Sequence, residues 1–404
     1  MVTEFPVRPA VAEDYEEMGA LFAGAMLFES SVDDLGRRLF EPERALAATD
    51  GAELVGTTRA LTRDLSVPGA VVPAAHVTGV GVRATHRRRG LMAELITRQL
   101  REVPEAIAVL WASESGIYGR FGYGAAAFGT SYEVDLHRVG PSSVRTRPGE
   151  ISVLSAADAL KELPSLHRNL QERRPGVSGR SDLLWEQRLT DKPDDRGGMT
   201  AREILVHRDE TGTIDGYALW RGKMGWGPTG PASEVQVEEL VAVEPAAYRA
   251  LWQHLLTLDL AATLRFGFAA TDEPLQQLVT TPTALNRRVT ESLWLRVTDV
   301  ARALEQRRYA VAVDLVFEVT DEVIPANAGR FRLAADGPAV RCERTEDTAD
   351  LSLSVTELGA AYLGGRRLAE FAATGRVIEH TPGTLTLATA AFGWPIAPAS
   401  IEIF

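Results

Sequence analysis

Apolar and polar positions along the chain follow two periods, and their order predicts a mixed α/β protein. Between residues 13 and 50 the apolar positions recur every three or four residues, which predicts helix, until Pro42 breaks the pattern. Residues 53–62 are strand-like, and residues 107–113 (IAVLWAS) form a continuous apolar run, typical of a strand buried on both faces. A strand at 131–136 is expected to close this first unit.

The stretch from Val77 to Leu100 begins with the alternation of a strand and ends with the spacing of a helix, and a basic junction connects the two. Its strand contains Val80 and Val82, its junction is Arg87-Arg88-Arg89-Gly90, and a helical spacing of apolar residues follows. A helix N-terminus offers free N–H groups and the positive end of the helix dipole, so it suits a phosphate. The positive charges of three arginines are unfavourable beside the positive end of the helix dipole. This local conflict indicates that the junction binds a phosphate. The alternative is an exposed basic helix start.

The sequence GIYGRFGYG at residues 116–124 alternates aromatic residues with glycines. We predict a tight loop and no helix here, because glycine permits unusual backbone angles and close approach. The loop holds two tyrosines, Tyr118 and Tyr123.

A second unit follows a Pro- and Gly-rich linker at residues 140–149. Helices are predicted at 156–173 and 181–189, and strands at 203–206 and 216–221. Residues 234–260 repeat the strand–junction–helix layout of Val77–Leu100. Here the junction is Val243-Glu244-Pro245, which would repel a phosphate and lacks one N–H group. We infer a duplicated fold whose second copy has lost the phosphate site; two unrelated strand–helix units are the alternative.

The last hundred residues change character. A helix is predicted to begin after Thr298 or Asp299, and alternating segments then predict a small antiparallel sheet. Two helical stretches follow, at 356–364 and 366–374. The pattern predicts a third, α+β domain. Its predicted strands are 311–319, 329–334, 340–343 and 351–355.

Composition narrows the function classes. The 404 residues are 45% hydrophobic and carry a net charge of −12, which disfavours nucleic-acid binding and is compatible with attracting cationic ligands. One cysteine, Cys342, excludes an internal disulfide framework, and no pattern of metal ligands is present. No apolar run approaches the length of a membrane span and no signal peptide is recognisable, so we expect a cytoplasmic protein without metal or membrane partner.

Together the strand, the THRRRGL junction, IAVLWASE and IYGRFGYG resemble the GCN5-related N-acetyltransferases (GNAT), and more narrowly the enhanced intracellular survival (Eis) family. The resemblance spans the chain. It implies a catalytic GNAT domain at 1–139, a degenerate GNAT-like domain at 150–296 and a sterol-carrier-protein-like domain at 297–404 whose C-terminus reaches the active site. It also implies acetyl-CoA as co-substrate and a homo-oligomer, a hexamer.

The resemblance also implies site residues. Tyr118 matches the tyrosine assigned as general acid, with Tyr123 as its competitor, and the terminal carboxylate of Phe404 matches the general base. Met92 stands where the general acetyltransferase pattern has Gly or Ala. The residues expected to line the acetyl-CoA site are Val80, Val82, Arg87, Arg88, Gly90, Leu91, Met92, Ser113 and Glu114.

The amine pocket is less well defined. The family pattern has an acidic residue before the final Phe, but Ile403 stands there and Glu402 lies one step further back. Glu402 and Glu29 are the candidates for binding a cationic amine, aminoglycoside-like, polyamine-like or smaller. His76 and His86 are expected to be structural, because neither has a paired acid or nucleophile at a diagnostic spacing. A lipid-binding or CoA-sensing protein and a protein lysine acetyltransferase are the alternatives.

Overall fold

The computed structural model describes residues 4–29, 32–140, 149–228 and 230–404. The chain forms two compact units. Unit 1 comprises Met1–Ala127, Ser292–Pro395 and Ile403–Phe404, and unit 2 comprises Phe128–Glu291 and Ile396–Glu402. Most of the predicted linker lies outside the described residues. None of the helices in the described ranges is long and apolar enough to cross a membrane.

The helices and strands are numbered in chain order. Up to Ala127 they are β1 (Val7–Pro9), α1 (Tyr15–Met26), α2 (Asp34–Arg38), β2 (Ala45–Asp50), β3 (Glu53–Val67), β4 (Ala70–Val82), α3 (Leu91–Glu102), β5 (Ile107–Trp111), α4 (Ser115–Tyr118) and β6 (Gly124–Ala125). From Phe128 to Glu291 they are β7 (Phe128–Asp135), β8 (Glu150–Leu154), α5 (Ala156–Arg173), α6 (Asp182–Leu189), β9 (Glu203–Arg208), β10 (Ile214–Lys223), β11 (Trp226–Gly227), β12 (Gly230–Pro231), β13 (Ser233–Ala242), α7 (Pro245–Leu256), β14 (Ala261–Ala270) and β15 (Arg288–Glu291). The remainder are β16 (Leu293–Val297), α8 (Val300–Gln306), β17 (Val313–Thr320), β18 (Gly329–Asp336), β19 (Ala339–Arg344), β20 (Leu351–Ser354), α9 (Val355–Ala361), α10 (Leu368–Ala372), β21 (Val377–Glu379) and α11 (Thr384–Phe392).

The first sheet of unit 1 has the described strand order β1-β2-β3-β4-β5-β16-β6. Its parallel pair, β4 and β5, is joined through α3, whose apolar side chains are buried as predicted. The helical range predicted over residues 13–50, with a break at Pro42, is wrong after that break, because residues 45–50 form β2. The sequence Ala45-Leu46-Ala47-Ala48 has good helix formers, but pairing with β3 and complete burial override that preference.

The C-terminal part of unit 1 adds a five-stranded sheet, in the order β19-β18-β17-β20-β21 over the described residues. The predicted antiparallel sheet is wrong at one place, because β17 and β20 pair in parallel. Strand β21 and helix α11 were not predicted. One core runs from the first sheet to this region, and it includes Val109, Leu295, Phe317 and Phe392.

The main sheet of unit 2 has the described order β15-β7-β14-β13-β10-β9-β8. Strand β7, expected to close the first unit, pairs instead with β14 and β15 in this sheet. In the first sheet β16 lies between β5 and β6. Residues 234–260 form the predicted strand and helix, and β13, α7 and β14 repeat the parallel layout of β4, α3 and β5.

Candidate active site

Strands β4 and β5 separate after a very short parallel pairing. They are paired only at Ala75–Ala108 and His76–Val109, although β4 continues to Val82. Just beyond this point β4 has a bulge: Thr57 pairs with Gly81 and Arg59 with Thr78, so Thr58 alone faces two residues of β4. One of these is Gly79, at φ +63°. A bulge bends its strand. The edge of β4 that carries Val80 and Val82 is therefore open to a ligand.

The junction before α3 is shaped to receive an anion. Arg88 and Gly90 both have left-handed backbone conformations, with φ of +64° and +83°. For a residue with a Cβ atom, such as Arg88, this backbone conformation costs about 1–2 kcal/mol. Consecutive N–H groups in such turns form a concave anion site, and the N–H groups of Leu91 and Met92 begin the twelve-residue helix α3. Local strain of this kind is typical of binding sites.

The three arginines of this junction have different partners. Arg89 forms an ion pair with Glu4, and its guanidinium lies 4.3 Å from the centre of the Phe5 ring. Among the described residues, Arg87 donates to the backbone carbonyls of Val82 and Ala25. Arg88 is exposed, without an ion-pair partner in the described part of the chain. Arg87 and Arg88 therefore have positive charge available for phosphate oxygens.

Tyr118 lies at the end of a single helical turn, α4, which a 3-10 turn at Gly119–Phe121 continues. The prediction that residues 116–124 contain no helix is wrong over these two turns. Burial raises the pKa of Tyr118, and a hydrogen bond with the Ser113 side chain acts in the opposite direction. The hydroxyl therefore stays protonated at neutral pH, as a general acid requires.

Tyr123 is the less suitable of the two tyrosines. Its ring lies 6.0 Å from that of Tyr118, but the residue is completely buried. Its hydroxyl has no hydrogen-bond partner within the described residues, and burial raises its pKa well above the usual range. A group so enclosed has no evident path to a substrate.

The loop after Tyr118 is anchored by Arg296 of β16, which the sequence analysis missed. The Arg296 Nε atom donates to the carbonyl oxygen of Phe121 at 2.7 Å. Its Nη2 atom contacts both carboxylate oxygens of Asp321 at 2.7 and 2.8 Å, and both side chains are 0% exposed. Gly122 is required beside it, because a Cβ atom there would lie 2.8 Å from Arg296 Nε. Nothing local in the sequence marks this pairing.

Phe404 lies against β4, directly before the bulge. A terminal oxygen of Phe404 accepts a hydrogen bond from Thr78 Oγ1 at 2.9 Å. Its ring packs edge-on against His76 at 4.5 Å, and the Arg63 guanidinium lies 5.9 Å from the ring centre. Sequence reasoning assigned no role to Thr78 and placed His76 only as structural. Their position on the strand that carries Val80 was the available clue.

The remaining predicted residues differ in exposure and in location. Ser113 and Glu114 are exposed between β5 and α4, Leu91 is buried, and Glu29 is exposed after α1. Glu402 belongs to unit 2, where its carboxylate is 2.7 Å from Arg180 Nη2. Its charge is therefore already matched.

Comparison with known proteins assigns the chain to a family. The chain is 32% identical to N-acetyltransferase Eis of Mycobacterium tuberculosis, over 88% of each chain. The chain belongs to the Eis family of GNAT acetyltransferases. It is also 41% identical, over 93% of each chain, to an uncharacterized N-acetyltransferase of Streptomyces avermitilis. The crystal structure of Eis1 from Mycobacterium abscessus is 33% identical and covers 99% of this chain and 100% of its own, with a TM-score of 0.83.

Family models agree with an Eis-type arrangement. Residues 6–126 and 176–297 match two acetyltransferase (GNAT) domains, and residues 300–400 match a sterol carrier protein domain. A GCN5-related N-acetyltransferase from Anabaena variabilis, 19% identical with a TM-score of 0.85, shares the fold over 99% of this chain and all of its own. This Eis-family protein is therefore an N-acetyltransferase, and its GNAT fold implies acetyl-CoA as the co-substrate.

The other residues considered from the sequence have partners away from this site. His86 Nε2 lies 3.2 Å from Asp50. Cys342 is buried in the C-terminal sheet, and burial raises the pKa of its thiol to about 12, so it carries little thiolate at neutral pH.

Proposed function

We propose that this Eis-family enzyme acetylates the primary amines of small cationic molecules by direct transfer, with Tyr118 as general acid and the terminal carboxylate of Phe404 as general base. One observation carries the proposal: the Phe404 terminus is held by Thr78 on β4, next to the bulge where β4 and β5 separate. A carboxylate is thus close to the strand edge at which an acetyl donor is expected.

The proton chemistry follows from the two groups. An amine is cationic at neutral pH and attacks a thioester only after it loses a proton. The Phe404 carboxylate accepts that proton directly or through a water molecule, and its reference pKa of about 3.5 keeps it ionised. Acetyl-CoA supplies the acetyl thioester. The Tyr118 hydroxyl donates a proton to the departing sulfur, and the open edge of β4 offers N–H groups to polarise the carbonyl.

The substrate class rests on charge. The protein has a net charge of −12, and the exposed Glu29 stands at the end of α1 beside three exposed apolar residues, Met26, Leu27 and Phe28. We propose polyamine-like or aminoglycoside-like amines, without a metal and without a nucleic-acid or membrane partner. A cytoplasmic location and a hexameric assembly remain predictions.

The direct test is a turnover assay. The protein is incubated with acetyl-CoA and a panel of polyamines, aminoglycosides and lysine peptides, while release of free CoA thiol is followed. Turnover with a small amine supports the proposal, and turnover with lysine peptides alone would support protein acetylation instead. Binding of acetyl-CoA without turnover on any amine would contradict the proposed function.

We expect Tyr118→Phe to lower kcat about 10²-fold, because the proton donor to the leaving thiolate is lost. The Kd for acetyl-CoA should change less than threefold. Tyr123→Phe is the matched control, since it removes a hydroxyl with no partner in the described structure, and it should keep kcat within about threefold. A larger loss in Tyr123→Phe than in Tyr118→Phe would reverse the assignment.

We expect Arg88→Ala to raise the Kd for acetyl-CoA about 10- to 100-fold, since each charge-assisted hydrogen bond contributes about 1.5–3 kcal/mol. Arg89→Ala is the control from the same turn, because Arg89 is already paired with Glu4. Isothermal titration measures both affinities. Equal losses in the two variants would indicate a general charge effect and no specific phosphate contact by Arg88.

One observation favours a second candidate function. A groove of about 730 Å³ lies in the C-terminal sheet region, and its lining combines apolar residues that include Val313, Val340 and Leu387 with the charged Asp314, Asp336 and Arg341. A sterol-carrier-like domain that binds an apolar ligand there would make the protein a ligand sensor. In that case the turnover assay would show acetyl-CoA binding without thiol release.

A further inference from the structure

The second GNAT-like repeat keeps the strand geometry of the proposed acetyl-CoA site in the first repeat, but the residues at that place differ. The parallel pairing of β13 with β14 ends at Val237–Phe266. Directly afterwards β13 has a bulge, because Leu219 pairs with Glu239 while Trp220 pairs with Val237. Strand β4 of the first repeat has the same arrangement, in which a short parallel pairing is followed by a bulge.

The extra residue of this bulge is Glu238, and the next residue of β13, Glu239, is a buried carboxylate. Glu239 has a side chain that is only 1% exposed, and Arg180 contacts both of its oxygens, at 2.9 and 2.6 Å. Arg188 Nε and the Tyr217 hydroxyl also donate to it. Burial alone raises the pKa of Glu239, but the charges of Arg180 and Arg188 outweigh it and hold the pKa well below the usual range. The carboxylate therefore stays ionised inside unit 2.

The buried Arg180 has a second carboxylate partner, in the C-terminal segment. Arg180 Nε donates to Glu402 Oε2 at 2.8 Å, and Nη2 lies 2.7 Å from the same oxygen. The segment before Glu402 is also fixed within unit 2. Ala397 N donates to Asp272, and Ala399 N donates to the carbonyl oxygen of Pro175. By contrast Ile403 is 64% exposed, so apolar burial of this residue does not hold the tail.

We propose that the second repeat has become a clamp for the C-terminal segment, in which Arg180, Glu239 and Glu402 are positioning residues for the Phe404 carboxylate. Two residue steps along the chain from Glu402 to Phe404 span at most about 7 Å. A fixed Glu402 therefore restricts the terminal carboxylate to a small volume. The inference rests on the proposed function, since it matters for catalysis only if that carboxylate is the base.

The test is a double-mutant cycle between Glu402→Gln and a chain extended beyond Phe404 by Gly-Ser, which displaces the carboxylate. In the chain that ends at Phe404, Glu402→Gln should lower kcat about tenfold while the Kd for acetyl-CoA stays within twofold. In the extended chain the same substitution should change kcat less than twofold. Equal losses in both backgrounds, no loss in either, or a rise in the amine KM with kcat unchanged would overturn the clamp; the last result would make Glu402 a substrate-binding residue.

A second measurement tests directly how firmly the C-terminal segment is held. Carboxypeptidase should release Phe404 faster from Glu402→Gln than from the unmodified protein, and an unchanged rate would contradict the clamp. Glu234→Gln is the matched control, because Glu234 lies on the same strand as Glu239 but its ion pair with Arg265 is exposed. The unfolding midpoint confirms that each variant is folded. If the extension alone leaves kcat unchanged, the proposed function fails whatever Glu402→Gln does.

Discussion

Extending the chain by Gly-Ser beyond Phe404 is expected to lower kcat about 10²- to 10³-fold with the Kd for acetyl-CoA unchanged. General-base catalysis by a placed group contributes about 10²- to 10⁴-fold, and the extension moves the carboxylate away from Thr78 while keeping every side chain. Acetyl-CoA binding should be unaffected, because the turn at Arg87–Gly90, which we propose binds the phosphates, is untouched. Steady-state thiol release and isothermal titration measure the two quantities.

The control is the same Gly-Ser pair added at the N-terminus, where kcat should be unchanged. A second variant, Thr78→Val, removes the hydroxyl that holds the terminal oxygen and should lower kcat about tenfold. Full activity in the extended protein would show that Phe404 is not the base, and the proposed mechanism would then have to be abandoned.

Replacing Asp321 by alanine is expected to lower the free energy of unfolding by about 3–5 kcal/mol, because it leaves the Arg296 guanidinium buried without its counter-charge. Asp321 also accepts hydrogen bonds from the N–H groups of Val323 and Ile324, so the loop after β17 loses its anchor as well. Since Arg296 holds the carbonyl of Phe121, the folded fraction should also have a lower kcat. Urea unfolding followed by tryptophan fluorescence gives the midpoint.

Asp314→Ala is the matched control for this change. Asp314 lies on β17 and pairs with Arg332, but both side chains are about half exposed, so its loss should cost at most about 1 kcal/mol. A similar effect of the two substitutions would show that burial of the Arg296–Asp321 pair contributes little. If the Asp321→Ala protein is stable and has a normal kcat, the Arg296–Asp321 pair is not needed to hold the loop that carries Tyr118.

The parts of the site that the sequence predicted depend on neighbouring residues. Alternation at Val80 and Val82, a glycine at position 90 and apolar spacing in α3 are local features, so strand, turn and helix were recognisable. The role of Tyr118 came from resemblance to a family, and its assignment as general acid stays a prediction. The helical turns around it were missed because four glycines within 116–124 disguise a short helix.

Three relations were decided by the tertiary structure alone, because their partners are far apart in the chain. Thr78 and Phe404 are separated by 326 positions, Arg180 and Glu402 by 222, and Arg296 and Phe121 by 175. Each is a directional contact of one polar group, which leaves no periodic trace in composition or spacing. The sequence also did not predict that β7 joins the sheet of unit 2 and β16 the first sheet of unit 1, for a related reason. A strand's alternation shows that it pairs but not with which sheet, since every sheet presents the same backbone hydrogen-bonding pattern.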